Sequence, residues 1–396
     1  MSSTTNSVDE NHKLNRVFSY MVVYYWILVY IKTPSYIMIT LPISLFIVYG
    51  LLHVKKSMVS NETYWVLLFL FFSGLLSLIR FDFKTLIALM LFILMIFIVN
   101  NFRLRVSLGL INTLFLLSVF ASVPLYYSGY SYYGFLPGQG GFSYDEFLSG
   151  RVSMFPNVTV SIYFSFIIFL LNYFFNPNGY KKAIFFILSL YFIYFGISRT
   201  VIMVLLFVLF FSFILKIYPL RKNWFYQIIL PTLLIGLPIL LVIFIEDIIY
   251  FLLNLNNEFI SKYFFRGYST IDEILTDIAR VNIWSEHIRL FTEHPWGLSI
   301  PQIESLVDPS LNLSDGGGSE SFLTRILVRF GFGAFFFYFF IFSLLNRAME
   351  EKNRYLYIYT YIFIFIGVTY GSFFAAYNLL FLIFISSINN QILKDN

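Results

Sequence analysis

Residues 157–175 read NVTVSIYFSFIIFLLNYFF, nineteen residues in a row without a charged side chain. A helix needs about 20 mostly apolar residues to cross the hydrocarbon core of a bilayer, within a range of roughly 17–25. Similar runs lie on both sides of this one, and only 12% of the 396 residues are charged. Soluble domains carry about 25% charge. The sequence therefore predicts a polytopic membrane protein, in agreement with its mean hydropathy of +0.78.

The chain contains twelve such segments, and we predict an all-α fold, a polytopic integral membrane bundle of about 12 transmembrane helices. No internal repeat or low-complexity stretch divides the chain, so residues 1–396 are expected to form a single integral membrane domain. The predicted spans lie near residues 17–31, 35–53, 64–80, 84–100, 104–124, 157–175, 183–198, 201–218, 225–245, 321–346, 355–370 and 373–390.

The positions of Lys and Arg predict the orientation, because cytoplasmic loops carry an excess of both. With the N terminus in the cytoplasm, fifteen of the 26 Lys and Arg residues fall on the cytoplasmic side and five on short outer loops. The other six lie in or just after a long loop, where the rule does not apply. Both termini are therefore predicted to be cytoplasmic. The five residues on short outer loops are Lys32, Arg80, Lys84, Arg151 and Arg199.

Two long connections fall on the outer side, at about residues 126–156 and 246–319. The second is the largest polar part of the chain. Within it, residues 271–291 read IDEILTDIARVNIWSEHIRLF, with apolar side chains near helical spacing and charges between them. This pattern predicts an amphipathic helix that lies on the membrane surface or roofs a cavity.

Three arginines near the outer ends of predicted spans are candidates for binding phosphate. Arg325 and Arg329, in ESFLTRILVRFGFG, are four residues apart and share one helix face. Arg329 lies roughly 13 Å along the helix from Glu320, at about 1.5 Å per residue. Arg199, in FGISRTVIM, lies in a tight outer turn. Arginine offers a rigid fork of donors that matches phosphate oxygens, whereas snorkelling or interfacial anchoring is the alternative for each residue.

Candidate catalytic groups lie in and after the second outer loop. Arg280, Trp284 and His287 have the spacing of one helix face. His294 follows in TEHPWGLS, where proline and glycine favour a turn, and Glu320 lies at the start of the tenth span. A histidine near neutral pH can act as a general base. The alternative is a structural role for the histidines and a polar hinge at Glu320.

Several classes of function are excluded or unsupported by the sequence. The chain has no cysteine, which excludes disulfides, thiol catalysis and cysteine-ligated metals. Neither a phosphate-cradling Gly-Lys-Ser/Thr loop nor a dinucleotide-binding glycine motif is present. The net charge of +5 follows from the topology and does not indicate nucleic-acid binding. No cofactor and no metal are expected.

The pattern of motifs resembles the bacterial O-antigen polymerases (the Wzy type), which are relatives of the O-antigen ligases. The resemblance covers the topology along most of the chain and short motifs between about residues 198 and 333. The matching motifs are SRT at 198–200, Arg280 with Trp284, HPWG at 294–297, SESFL at 319–323, and Gly331 with Gly333.

This resemblance implies a metal-independent, inverting glycosyltransferase in the bacterial cell inner membrane, acting at its periplasmic face. Its partners would be an undecaprenyl-pyrophosphate-linked glycan donor and acceptor, the lipid bilayer and a polysaccharide chain-length regulator. By resemblance, Arg199 would contact the pyrophosphate and Arg280 would supply a second cationic group. Arg325 and Arg329 are further pyrophosphate candidates.

The identity of the base and the choice among related functions stay open at this stage. His294 and Glu320 are the two candidates for the base. The ligases commonly carry a His-Asn pair where this chain has Glu320–Ser321, and that departure favours a polymerase. An O-antigen ligase is one alternative. A lipid-linked oligosaccharide flippase or transporter is the other, although a transporter needs no long outer loop.

Overall fold

The computed structural model is mostly helical. Among the residues that it describes there is no β-strand, only an isolated parallel bridge between Gly134 and Val152. The described residues are 2–31, 36–52, 61–102, 104–138, 150–196, 198–218, 220, 223–229, 244–255, 257, 260–261, 265, 270–272, 274, 279–307 and 322–369.

The described part of the chain forms fourteen α-helices, with a π-helical turn at Phe225–Ile229 and a 3₁₀ turn at Gly331–Gly333. Their bounds are α1 Ser2–Leu28, α2 Tyr36–Leu51, α3 Asn61–Ile79, α4 Phe83–Asn101, α5 Leu108–Tyr127, α6 Val158–Phe175, α7 Gly179–Phe195, α8 Arg199–Ile217, α9 Ile245–Asn254, α10 Ala279–Glu293, α11 Ile300–Leu306, α12 Phe322–Phe330, α13 Ala334–Glu350 and α14 Arg354–Thr369.

Within the described ranges, three helical segments are long and apolar enough to cross a membrane: Leu108–Tyr127, Val158–Phe175 and Phe322–Glu350. The first eight predicted spans each overlap one of the helices α1–α8, although α1 begins at Ser2, fifteen residues before the first predicted span, and the eleventh overlaps α14. Most of the ninth predicted span and all of the twelfth lie outside the described residues. The described part of the protein is therefore helical with three candidate membrane-spanning segments, and the count of twelve and the position of the termini stay predictions.

The structure divides into two compact units. The first takes in the described residues up to Tyr64 and from Lys84 to Leu205. Its core contains the hairpin of α6 and α7, where α6 is buried over most of its length. On its inner face Asn112 and Asn172 exchange side-chain hydrogen bonds of 3.0 and 2.8 Å between α5 and α6. Side-chain amides that hydrogen-bond across two apolar helices hold those helices together.

The second unit takes in Trp65–Phe83 and the described residues from Leu206 onward. Phe69 of α3 contacts Phe330 and Phe337 with ring centroids 5.7 and 5.3 Å apart, on either side of the 3₁₀ turn. These contacts pack the middle of α3 against the boundary between α12 and α13. The candidate site is built at this boundary.

The amphipathic helix predicted at residues 271–291 is confirmed where α10 covers it, at Ala279–Glu293. Its buried side chains Ile283 and Leu290 pack against α11 and α12. The buried cluster that results consists of Ile283, Leu290, Leu298, Ile303, Val307 and Val328. Burial of these side chains fixes the end of α10, and with it the turn that follows, onto α12.

Candidate functional site

The tenth predicted span is interrupted at Gly331. Its first half, α12, ends at Phe330, a 3₁₀ turn follows, and α13 begins at Ala334. Gly331 has a φ of +54°, in the left-handed region that favours glycine. A Cβ atom on Gly331 would overlap the carbonyl oxygen of Pro295 and lie 2.6 Å from the carbonyl carbon of Trp296. The break therefore exists because another segment of backbone lies directly against it.

That segment is the turn His294–Gly297, which follows α10. The His294 amide donates to the Leu290 carbonyl at 2.9 Å, and the Gly297 amide donates to the His294 carbonyl at 2.8 Å. Gly297 has a φ of +83°, and a Cβ atom there would lie 2.7 Å from the carbonyl carbon of Arg329. The two glycines thus allow two backbones to touch with no side chain between them.

Two backbone hydrogen bonds join the turn to the break. The Leu298 amide donates to the Val328 carbonyl at 2.9 Å, and the Phe332 amide donates to the Pro295 carbonyl at 3.0 Å. We refer to the turn His294–Gly297 and the break Arg329–Gly333 together as the glycine junction. These bonds give the carbonyls of Val328 and Pro295 partners where the regular helix is interrupted.

Arg80 supplies further partners to the glycine junction. Breaking a helix leaves its last carbonyls without intrahelical donors. Nη1 of Arg80 donates to the Arg329 carbonyl at 2.6 Å, while Nη2 donates to the carbonyls of Trp296 and Gly297 at 3.0 and 2.8 Å. One guanidinium therefore satisfies carbonyls on both sides of the junction.

Asp82, in the same turn as Arg80, binds the side chain of Arg329. Nη2 of Arg329 donates to Oδ2 of Asp82 at 2.8 Å, and the two side chains are 8% and 21% exposed. Phe81, between Arg80 and Asp82, has a φ of +56°, which is uncommon for a bulky residue. The turn Arg80–Asp82 thus positions Arg329 twice, through its backbone and through its side chain.

Arg325 lies one turn before Arg329 on α12 and is near enough to repel it electrostatically, as is Arg80, whereas Asp82 attracts it. Nearby, His287 of α10 is fully buried, and its Nδ1 lies 2.8 Å from Oγ1 of Thr324 on α12. Its burial in a helix–helix contact agrees with a structural role for this histidine. His294 is only half-buried and lies in the glycine junction itself.

Of the six predicted site residues, the structure brings His294 and Arg329 to the same junction, with Arg325 on the adjoining turn of α12. Arg280 is the second residue of α10, and Arg199 is the first residue of α8. Glu320 lies outside the described residues. In the part of the chain that the structure describes, no group of three or more His, Cys, Asp or Glu side chains has the arrangement of a metal site.

Sequence reasoning missed Arg80 and Asp82. Arg80 enters the sequence analysis only as one of five cations on short outer loops, and Asp82 is not singled out there. The available signal is the tripeptide Arg80-Phe81-Asp82 in a tight turn between two long apolar runs. Ionisable residues at the edge of a membrane-embedded bundle tend to pair with one another or with backbone carbonyls, and here they do both.

An exposed group of aromatic rings borders the glycine junction. Trp296 is 71% exposed and Phe332 is 50% exposed, and their ring centroids are 5.7 Å apart. Phe332 also contacts Phe291 and Phe335, with centroids 5.8 and 6.2 Å away. Aromatic rings of this kind are enriched where a membrane protein meets the headgroup region.

The arrangement as a whole joins the backbone of the turn that carries His294 to the helix end that carries the buried Arg329 guanidinium. Guanidinium groups held in place beforehand stabilise developing negative charge without reorganising during a reaction. Comparison of the chain with known protein families, curated proteins and solved structures finds no match.

Proposed function

We propose that this protein is an O-antigen polymerase, a glycosyltransferase that joins undecaprenyl-pyrophosphate-linked oligosaccharide repeat units at the periplasmic face of the bacterial inner membrane. The observation that carries the proposal is the buried Arg329 in an apolar helix, held by Asp82 at a break that the His294 turn contacts. A lipid pyrophosphate leaving group needs a cationic donor at this kind of boundary, where lipid and protein meet.

The proposed reaction breaks the bond between the anomeric carbon of the donor glycan and its pyrophosphate oxygen. A hydroxyl of the acceptor sugar attacks that carbon from the opposite face, so the configuration inverts. The hydroxyl proton passes to a general base, for which His294 and Glu320 are the candidates. The electron pair of the broken bond leaves with undecaprenyl pyrophosphate, whose charge Arg199, Arg325 and Arg329 would stabilise, with Arg280 as an additional cationic group.

Contacts within the second unit support the topology that this proposal needs. The turn Arg80–Asp82 and the turn His294–Gly297 are both predicted on the outer side, and they meet at the glycine junction. Tyr226 and Tyr357 are both predicted near the cytoplasmic side, and the Tyr357 hydroxyl donates to the Tyr226 carbonyl at 2.8 Å. Wrong assignment of one of these spans would separate the partners by the thickness of the membrane.

Deletion of the gene, followed by electrophoresis of the surface polysaccharide, tests the function. Loss of polymerase leaves lipid A core capped with one repeat unit, and a plasmid copy of the gene restores the ladder of longer chains. Uncapped core would indicate a ligase instead, and accumulation of an inward-facing lipid-linked intermediate would indicate a flippase. Either of those outcomes, or an unchanged ladder, would contradict the proposal.

A further inference from the structure

Arg80 differs from the other candidate residues because the three hydrogen bonds its side chain makes at the glycine junction all go to backbone oxygens. The acceptors are the carbonyls of Trp296, Gly297 and Arg329, which lie 216, 217 and 249 residues away in the sequence. These bonds use three of the five N–H donors of a guanidinium. Arg80 therefore acts on the course of the backbone at the glycine junction.

The guanidinium bridges the two segments at the point where the two glycines leave no side chains between the backbones. Gly297 and Gly331 approach so closely that a Cβ atom on either would overlap the other segment. Among the described residues, the two segments are also joined by two backbone hydrogen bonds, from Leu298 and Phe332, by the contact of the Trp296 and Phe332 rings, and by the packing of Leu298 with Val328. A lysine has a single compact ammonium and does not reproduce the planar fork that reaches both segments.

We propose that Arg80 is a positioning residue of the glycosyl transfer: it holds the turn that carries His294 against the helix end that carries Arg329. This inference rests on the proposed function. His294 is the half-buried base candidate, and Arg329 is the buried pyrophosphate candidate. Reacting groups must be held near their productive geometry, since a displacement of about 1 Å can cost roughly 10²-fold in rate.

Asp82, at the other end of the turn Arg80–Asp82, also binds Arg329. Arg80 fixes the backbone of Arg329 at 2.6 Å, and Asp82 fixes its side chain at 2.8 Å. Phe69, in the middle of α3, contacts Phe330 and Phe337 on either side of the break and packs the helix that precedes this turn against it. The short turn between α3 and α4 thereby sets both the location and the orientation of the Arg329 guanidinium.

The kinetic test compares purified Arg80→Lys, Arg80→Gln and Arg80→Ala with the unmodified protein, using lipid-linked repeat units. A positioning role predicts that kcat falls about tenfold to 100-fold, since misplacement acts on the transition state. KM for the donor should change less than about threefold. Arg80→Lys should recover only part of kcat, because it keeps the charge and loses the fork.

The matched control is Arg347→Ala. The Arg347 guanidinium is hydrogen-bonded too, but to the Glu351 carboxylate at 3.1 Å, and it lies on the predicted cytoplasmic side. This variant should keep both kcat and KM. An increase in KM with kcat unchanged in the Arg80 variants would identify Arg80 as a substrate contact and overturn the inference. Unchanged kinetics in all three Arg80 variants would overturn it as well.

A second measurement does not depend on activity. The chain has no cysteine, so Trp296→Cys with Phe332→Cys creates one pair of thiols across the glycine junction, at two exposed positions. A short bifunctional maleimide should join them efficiently when Arg80 is present, and several-fold less when Arg80→Gln is added. Equal cross-linking with and without Arg80 would contradict the positioning role.

Failure of the proposed function can be told apart from failure of this inference. If the unmodified protein forms no polymer, the proposed function fails, while the cross-linking result still decides whether Arg80 holds the turn.

Discussion

The Arg329 guanidinium donates a hydrogen bond to Oδ2 of Asp82 at 2.8 Å, across 247 residues of sequence. Both side chains are largely removed from solvent. Desolvation of two such charges costs several kcal/mol per ion, and loss of one partner of a buried pair typically destabilises a protein by about 3–5 kcal/mol. Such a buried ion pair can contribute to stability or to function. Single and double substitutions measure the two contributions separately.

Asp82→Ala should lower the thermal stability of the detergent-solubilised protein, because it leaves Arg329 buried beside two other arginines. The double variant Asp82→Leu with Arg329→Met removes both charges, and such replacements are often neutral or stabilising. We therefore expect the double variant to regain most of the stability and to remain inactive in polymer formation. A light-scattering or dye-based melting curve with a turnover assay measures both quantities.

Removal of an ion pair within one helical turn, away from the glycine junction, provides the control for that experiment. Arg347→Ala with Glu351→Ala removes an i, i+4 pair at the C-terminal end of α13, whose side chains are 15% and 37% exposed. Helical i, i+4 pairs are typically worth about 0.3–0.5 kcal/mol. It should leave both stability and activity nearly unchanged. Polymer formation by the Asp82→Leu, Arg329→Met variant would show that Arg329 serves only the fold.

Glycine-to-alanine substitutions at the junction should be far more harmful than elsewhere. Gly331→Ala and Gly297→Ala place a Cβ atom against backbone in addition to requiring a left-handed conformation, which alone costs an L-residue about 1–2 kcal/mol. Gly109, near the start of α5, has no atom within 4 Å of its built Cβ position. Gly109→Ala should therefore be neutral or slightly stabilising. Membrane levels and melting temperatures of the three variants test this, and equal behaviour would contradict the close approach at the junction.

The positions of the helices could be read from the sequence because the length and polarity of an apolar run are local properties. Residues 157–175 predict α6 without reference to any other segment. The break at Gly331 could not be read in this way, since apolar residues continue from α12 into α13 and glycine is tolerated in membrane helices. Its cause is the turn His294–Gly297, more than thirty residues earlier in the chain.

The site was predictable only where a residue is unusual in its own sequence context. Arg325 and Arg329 stand out because they interrupt an apolar helix. Arg80 does not stand out, since an arginine at a helix end is equally consistent with an interfacial anchor. Its three acceptors are carbonyls, which every residue has, so no pattern of side chains marks them. Long-range backbone contacts of this kind appear only in the folded structure.

Reporter fusions test the predicted orientation. Fusions after Ser143 and after Asn312 should report a periplasmic location, and fusions after Lys182 and after Lys222 a cytoplasmic one. The basis is the excess of Lys and Arg on the predicted inner loops. A phosphatase that is active only in the periplasm and a fluorescent protein that matures only in the cytoplasm give complementary signals. A cytoplasmic signal at Asn312 would move His294 away from the lipid-linked substrate and contradict the proposed function.

The arginine candidates can be ranked by charge-conserving substitution. Arg199→Ala, Arg325→Ala and Arg329→Ala should each abolish polymer where the residue binds pyrophosphate, with protein still present in the membrane. The corresponding lysine variants should restore little, because an ammonium keeps the charge without the bidentate geometry. Rescue by lysine would indicate that charge alone suffices at that position. Full activity in Arg199→Ala would assign this residue to anchoring at the interface.

The general base is decided between His294 and Glu320 by rate measurements. The loss of a positioned acid–base group costs roughly 10²–10⁴-fold in rate. If His294 is the base, His294→Ala should show this loss in kcat with donor binding retained, because the arginine contacts remain. With a histidine base, the rate falls at low pH because the imidazole becomes protonated. The pH–rate profile of His294→Ala should lose this fall, which we call the acid limb. Arg80→Lys should keep that limb at a lower rate, because it displaces the imidazole without removing it.

If Glu320 is the base, Glu320→Gln should show the large loss of kcat and His294→Ala a mild one. Rates close to wild type in both single variants would exclude both residues and assign most of the catalysis to departure of the leaving group assisted by arginine.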